Sequence, residues 1–171
     1  IIDSRNLSSG IGLLALQAAE YSMKGMDAKM IYEKILKLVP RVRTSFIIDT
    51  LKYLYMGGRC SSIQRWASSA FKIHPRIIVE NGIMIVGEKF KGKRLAVLDG
   101  LLKTVTVRKD KVDTHRVFIT HSLTPQEDVD FLSKGLLSEI KIDDLLDTPS
   151  GCVIAAHCGP KTIGIIYLEK E

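Results

Sequence analysis

The sequence predicts an α/β fold (α+β in strict use), with helices packed on a mixed, largely antiparallel sheet. Short runs rich in Ile, Val and Phe alternate with stretches whose apolar residues recur at helical spacing. Asn81-Gly82 separates two apolar runs, and this pair favours a type I′ hairpin turn because both of its central residues need a positive φ. The composition, 46% hydrophobic and 26% charged, is typical of a globular chain and excludes a disordered one.

The first part of the chain is predicted to be a strand end followed by two helices. Apolar residues at helical spacing predict one helix that starts after a serine cap and a second that Asp27 caps and that ends before Pro40. Beyond Pro40, strands and helices alternate. We therefore expect residues 1–40 to be the remnant of an N-terminal domain and residues 41–171 to form a C-terminal α/β domain.

The later elements are predicted from apolar runs and from the turn-forming residues that separate them. We predict strands over Val42–Ile48 and Val117–Thr120, a hairpin over Pro75–Met84, a helix over residues 61–69 and a long helix that Lys91–Arg94 opens.

Two further apolar runs, Cys152–Ala156 and Ile163–Leu168, flank a Gly-Pro break near the end of the chain. They predict two buried strands that meet at a tight turn, which places His157 at the end of a strand. An imidazole in that position can be presented to a ligand by a rigid scaffold. The alternative is a turn histidine whose hydrogen bond is satisfied by a backbone carbonyl.

Charge and cysteine content limit the classes of partner. The net charge is +6, but the basic residues are scattered, so the pattern argues against a nucleic-acid partner and suits anions such as carboxylates, phosphates or an acidic protein. Three cysteines without framework spacing favour a reducing compartment, and we expect a cytoplasmic protein. No apolar run approaches the roughly 18–20 residues of a membrane span. The start, which lacks an initiator Met, suggests a piece of a longer protein.

The Cys and His residues near the end of the chain do not form a convincing reactive site. Cys152, His157 and Cys158 lack the fourth ligand that structural zinc requires. His157 and Cys158 would point to opposite faces of a strand and so make a poor nucleophile–base pair. Neither a Gly-x-Ser-x-Gly nucleophile motif nor a phosphate-binding glycine-rich loop is present. We therefore predict no catalytic residue, no metal and no cofactor.

Two polar stretches could bind an anion. Gly57-Gly58 permits a close backbone approach, and Arg59 could hold a carboxylate or phosphate in bidentate fashion. The alternative is a helix-ending turn with an exposed arginine. The serines around Ser8, followed by Gly10, could line an anion site at a helix N-terminus, and the alternative there is ordinary capping.

Taken in order, several motifs resemble the DegV family of bacterial fatty-acid-binding proteins, and they extend over nearly the whole chain. They are Ile2-Asp3-Ser4 with Ser8 and Gly10-Ile11-Gly12, Arg43–Phe46, Asp49–Leu54, Gly57-Gly58-Arg59, Pro75 before the hairpin, Lys91-Gly92-Lys93, and His157-Cys158-Gly159-Pro160.

This resemblance implies a non-catalytic carrier that binds one long-chain fatty acid and presents it to a separate kinase subunit for phospholipid synthesis. His157 matches the histidine of the family's His-Thr-Gly-Pro-Gly motif, which lies in the polar network around the fatty-acid carboxyl. Gly159, Arg59 and Ser8 are the other ligand-binding residues that we carry over from the resemblance.

The chain also departs from the family pattern. The family's N-terminal portion, with the Thr and Ser that bind the carboxyl directly, has no counterpart here. Cys158 stands where the family has Thr, and Lys161 stands where it has Gly. A second hypothesis is therefore a protein-interaction module that docks an acidic, kinase-like partner, with lipid contact secondary.

Overall fold

A computed structural model describes residues 1–59 and 73–171, so the helix predicted over residues 61–69 lies outside the described residues. The helices of these ranges are α1 (Ser9–Met23), α2 (Ala28–Leu38), α3 (Lys52–Met56), α4 (Arg94–Thr106), α5 (Gln126–Glu139) and α6 (Cys152–Cys158). The strands are β1 (Val42–Ile47), β2 (Ile73–Glu80), β3 (Ile83–Lys91), β4 (Val112–Ser122), β5 (Asp144–Pro149) and β6 (Thr162–Glu169).

These strands form one open sheet in the order β3-β2-β1-β6-β4-β5. Within the described ranges, β4 and β5 pair in parallel, and the other neighbouring strands pair antiparallel. The helix α5 lies between β4 and β5 in the chain, as a parallel connection requires. The predicted mixed, largely antiparallel sheet is therefore confirmed.

Helices cover both faces of the sheet, because alternate residues of the central strands point to opposite sides. On β6, Ile165 packs in a cluster with residues of α4 and α5, whereas Ile166 packs in a cluster with residues of α1 and α2. A third cluster joins α3 and α6 to the second face through residues such as Leu54 and Cys158. The result is a three-layer α/β/α arrangement in which α1 and α2 share a core with the sheet.

The division into a remnant over residues 1–40 and a domain over residues 41–171 stays a prediction.

The predicted hairpin is present as β2 and β3, with Glu80 paired to Ile83 across the turn. Asn81 has φ 51° and Gly82 has φ 81°, the two positive values that a type I′ turn needs. At the start of α2, the Asp27 carboxylate accepts a hydrogen bond from the Met30 amide at 2.9 Å, so the predicted cap is also confirmed.

The serine cap predicted for α1, at Ser8 or Ser9, is confirmed in its position but not in its hydrogen bond. Ser8 occupies the cap position, but its side chain makes no capping hydrogen bond. The Ser9 hydroxyl instead accepts a hydrogen bond from the Thr120 hydroxyl at 2.7 Å and lies 3.2 Å from the Thr148 hydroxyl. These hydrogen bonds connect the start of α1 to β4 and β5.

The strand predicted over Cys152–Ala156 is wrong, because these residues lie in helix α6. Ile154 and Cys158, four residues apart, face the sheet, while Val153 is exposed. A short apolar run fits a strand and a helix equally well by periodicity, and here the packing against β1 and β2 decides. The strand predicted over Ile163–Leu168 is confirmed as part of β6.

Candidate ligand-binding site

The Gly-Gly-Arg and His-Cys-Gly-Pro motifs, about 100 positions apart in the sequence, meet where α3 packs against α6. Gly57 ends α3, and a Cβ built on it would overlap Cδ2 of His157 and lie 3.0 Å from its Nε2. The imidazole therefore rests directly on the Gly57 backbone. Position 57 needs a residue without a side chain for this close approach.

His157 lies in the last turn of α6 rather than at the end of a strand. Its Nδ1 lies 2.7 Å from the carbonyl oxygen of Val153, one helical turn earlier. Because a carbonyl only accepts, Nδ1 carries a proton and donates it, which leaves Nε2 facing Gly57 as the second functional atom. The backbone-carbonyl alternative from the sequence is therefore correct for Nδ1, and in this neutral tautomer Nε2 is an acceptor.

Arg59 follows this contact directly. One Nη of its guanidinium donates a 2.7 Å hydrogen bond to the carbonyl of Gly57, and the residue is exposed. Within residues 1–59 and 73–171, the guanidinium forms no ion pair with a carboxylate. Arg59 and His157 thus both contact Gly57, the arginine through a hydrogen bond to its carbonyl and the histidine through its ring.

Gly159 is buried in the turn after α6. Its φ is 79°, and a Cβ there would overlap the Tyr53 ring of α3, so both backbone conformation and space favour glycine. Lys161, which stands where the family has glycine, also has a positive φ of 59°. Hydrogen bonds offset that strained backbone: its amide donates to the Leu123 carbonyl, and its carbonyl accepts from Arg94.

Ser8 lies apart from this contact, against a small cavity of about 30 Å³ on the same face of the sheet. Ile154 and Cys158 of α6, Phe46 of β1 and Gly164 of β6 also line this cavity. A cavity of this size holds about one water molecule and is too small for an acyl chain. Ser8 is therefore placed near α6, but His157 is not among the residues that line its cavity.

A more extended apolar surface lies on the same face, over β1, β2 and β3. Leu51, Met84, Val86 and Ile154 are partly buried around a core that includes Phe46. This surface begins at α6, which carries His157, and at α3, which ends shortly before Arg59, so polar side chains and an apolar face adjoin each other.

The structure argues against a thiol nucleophile at Cys158. Burial raises the pKa of this thiol to about 11, so the sulfur is protonated near neutral pH. The sequence argument against a Cys158–His157 pair relied on the geometry of a strand. In the observed helix, side chains of neighbouring residues differ in direction by about 100°, which also separates the two groups.

The described residues contain no group of three or more His, Cys, Asp or Glu side chains that could hold a metal.

Several contributors to this site were not predicted from the sequence. The Tyr53 ring lies against Gly159, and the His157 ring lies against Gly57. Arg94 donates a hydrogen bond to the carbonyl of Lys161. Spacing along the chain carries no signal for these contacts, because each joins elements that are distant in sequence.

None of the helices in the described ranges is both long and apolar enough to cross a membrane.

The fold is that of an open-sheet α/β protein in which Arg59 and His157 lie beside an apolar face. The profile of a family described as uncharacterised proteins of the DegV family matches residues 1–170, and the chain belongs to this family.

Proteins of known sequence and structure show the same relationship. A DegV domain-containing protein of Caldanaerobacter subterraneus subsp. tengcongensis is 29% identical over 173 residues, covering 99% of this chain and 60% of the relative. The solved structure of a fatty acid binding DegV family protein from Streptococcus agalactiae superposes with a TM-score of 0.86 at 24% identity, over 100% of this chain and 60% of that one.

A Streptococcus pneumoniae fatty acid kinase B3 protein, loaded with linoleic acid, superposes with a TM-score of 0.85 at 14% identity, over 99% of this chain and 59% of that one. At these identities the likeness to the solved structures establishes the fold alone. The chain spans about 60% of the length of the relatives that it matches.

Proposed function

We propose that this chain is a carrier of a long-chain fatty acid and that it holds the carboxylate at the α3–α6 contact. The main support for the proposal is the contact of the His157 ring with Gly57, whose carbonyl accepts a hydrogen bond from Arg59. This contact brings two potential carboxylate donors together from distant parts of the sequence. Membership of the DegV family, together with relatives of known structure that bind fatty acids, supports the ligand class.

The chemistry of the two side chains suits a carboxylate. The Arg59 guanidinium offers a planar fork that can donate two parallel hydrogen bonds to both oxygens. The His157 ring already uses Nδ1 as a donor, so its protonated form would donate from Nε2 as well. Gly159 and Ser8 belong to the same proposal: Gly159 sets the turn behind His157, and Ser8 lines the neighbouring cavity.

The acyl tail would lie on the apolar surface formed by Leu51, Met84, Val86 and Ile154. Burial of a methylene group stabilises binding by about 0.8 kcal/mol, so the tail supplies affinity while the donors orient the carboxylate. The family resemblance also assigns a Thr and a Ser to the carboxyl, apart from the two motifs that meet at the α3–α6 contact. The proposal therefore concerns the side of the site that His157 and Arg59 form.

We propose a carrier rather than a catalyst, acting in the cytoplasm and presenting the fatty acid to a kinase subunit. The protonated thiol of Cys158 supports this choice over thiol catalysis. The exposed position of Arg59 is compatible with access by a second protein to a carboxylate held there.

A binding titration with oleate tests the proposal. The wild-type chain should bind oleate saturably, and His157→Gln should weaken binding by about tenfold, which corresponds to the loss of one charge-assisted hydrogen bond. His115→Gln is the matched control, since His115 is exposed and interacts with Glu20 of α1. Absence of saturable oleate binding, or equal loss in both variants, would overturn the proposal.

The second hypothesis, a module that docks an acidic partner, is favoured by the exposed apolar residues next to Arg59. Tyr55 and Met56 of α3 are 64% and 71% exposed, a pattern suited to a protein contact. Arg59→Glu separates the hypotheses in a paired assay of oleate binding and kinase-subunit binding. Loss of the complex with unchanged oleate affinity would support the module, whereas loss of oleate affinity would support the carrier.

A further inference from the structure

A second, larger cleft of about 960 Å³ opens beside α4 and crosses the strands β1 and β2 towards the N-terminal loop. Its walls include Arg43 and Ser45 of β1, Tyr167 of β6, and Thr104 on α4. Tyr167 shares its core with α4 and α5, so this part of the cleft lies on the face of the sheet opposite α3 and α6. Val79 and Thr44, which also line the cleft, belong to the α3–α6 face, so only its Tyr167 end is separate from the proposed fatty-acid site.

Guanidinium groups gather around the Tyr167 hydroxyl. Arg43 and Arg108 both form ion pairs with the carboxylate of Glu169, the second at 2.8 Å, so two cations share one anion. Glu169 is largely buried beneath them, with 13% of its side chain exposed. Burial raises the pKa of Tyr167, which keeps its hydroxyl protonated as a donor. Arg43 also donates to the carbonyl of Pro40, and the two cations around Glu169 leave one net positive charge at this end of the cleft.

Arg76 of β2 adds a third guanidinium to the cleft. Its side chain is 16% exposed and binds the Glu88 carboxylate at 2.7 Å, but Glu88 itself is 57% exposed. The Nε of Arg76 is buried without a hydrogen-bond partner in the part of the chain that the structure describes. An unsatisfied buried donor costs about 1–3 kcal/mol, and a ligand oxygen that reached it would recover that cost.

Acidic residues also border the cleft, namely Asp3, Glu80 and Glu88. Val79 pairs with Thr44, so Glu80 lies across from Arg43, while Arg43, Arg76 and Arg108 all act electrostatically on Tyr167. An anion is favoured at the Tyr167 end by the unpartnered Nε of Arg76 rather than by an excess of positive charge. The apolar side chains of Ile78 and Ile85, which also line the cleft, could contact an uncharged portion of the ligand.

We propose that this cleft binds the phosphate group of a small phosphorylated ligand, held by Arg43, Arg76 and Arg108 over Tyr167. Arginine suits this ligand because its planar fork matches the spacing of phosphate oxygens. The phosphate could belong to a free compound or to a phospholipid headgroup. This inference does not depend on fatty-acid binding.

Two probes distinguish these sources. Inorganic pyrophosphate, followed by calorimetry and by the shift of the Tyr167 backbone amide in NMR spectra, reports a site for free phosphate. Sedimentation with vesicles of phosphatidylglycerol, compared with phosphatidylcholine, reports a site for an anionic headgroup. Saturable binding to either anionic probe supports the proposal and assigns the source.

Variants then assign the binding to the cleft. Arg76→Gln should weaken binding of the active probe by about tenfold, and Arg76→Lys, which keeps the charge but loses the fork, by a smaller factor. Lys109→Gln is the matched control, since it removes an exposed cation paired with Glu139, outside the cleft. Thermal unfolding checks that each variant is folded. Absence of binding to both probes, or equal weakening by Lys109→Gln, would overturn the proposal.

Discussion

At the scale of single residues, the proposed fatty-acid site depends on a glycine that makes no hydrogen bond to a ligand. Gly57 lets the His157 ring lie against the backbone, next to the carbonyl that Arg59 binds. A residue can thus shape a binding site by the space it leaves free. The proposed role of His157 depends on this contact as much as on the chemistry of the imidazole.

Gly57→Ala should therefore weaken oleate binding without a large loss of stability. The backbone at position 57 has φ −78°, which alanine adopts easily, so the effect would come from the overlap between its methyl group and the His157 ring. Oleate titration together with thermal unfolding measures both quantities.

Gly12→Ala provides the matched control for that substitution. Gly12 lies within α1, and a Cβ there meets nothing within 4 Å. Alanine at this position should raise the free energy of unfolding by about 0.5–1 kcal/mol and leave oleate affinity unchanged. Unchanged oleate affinity in Gly57→Ala would show that the ring position does not matter for binding.

At the scale of elements, a charged network joins the helical layer to the sheet. Glu20 of α1 lies 3.0 Å from the His115 Nε2 and 2.9 Å from the Arg116 guanidinium, and Arg116 also binds Asp144 of β5 at 2.7 Å. Burial alone would raise the pKa of Glu20, but the hydrogen bonds from His115 and Arg116 hold it below its ordinary value of 4.5. The carboxylate form is thus favoured in the folded state.

This direction predicts an acid-sensitive contribution to stability. A carboxyl group whose pKa is lowered by folding stabilises the fold above its unfolded pKa, and that contribution disappears as the pH falls through the folded pKa. The free energy of unfolding should therefore fall more steeply in wild type than in Glu20→Gln as the pH drops below 4.5.

Urea unfolding at a series of pH values measures this difference. Glu33→Gln, on the exposed side of α2, is the control and should retain the wild-type pH profile. If Glu20→Gln and wild type lose stability in parallel, the network does not act through the ionisation of Glu20.

At the scale of the whole molecule, stability depends on the central strand β6, which pairs with β1 and β4 and contributes to the clusters on both faces. Ile165 on this strand is fully buried between the sheet and the helices α4 and α5. The edge strand β3, by contrast, leaves Ile83 58% exposed.

Ile165→Ala should lower the free energy of unfolding by about 2–5 kcal/mol, because it removes buried methyl groups and leaves a cavity in the core. The same change at the exposed Ile83 should cost less than about 0.5 kcal/mol. Denaturant unfolding of both variants measures the difference. Similar losses at the two positions would contradict the central place of β6 in the core.

The sequence by itself determined the class of fold, the hairpin and the cap of α2. These features depend on local rules: Asn81-Gly82 satisfies the dihedral angles of its turn, and Asp27 is three residues from the amide that it binds. The ordered motifs also identified the family. Each of these signals lies within a few residues or in the order of short segments, so no knowledge of packing was needed.

Only the tertiary structure decided that Cys152–Cys158 is a helix and that His157 lies against Gly57. A short apolar run is compatible with a strand or a helix until it packs against neighbours, and here Ile154 and Cys158 pack on the sheet. The contact between positions 57 and 157 depends on the docking of two short helices, a long-range arrangement that periodicity cannot encode. The arginine cleft beside α4 has the same origin, because it draws Arg43, Arg76 and Arg108 from three separate elements.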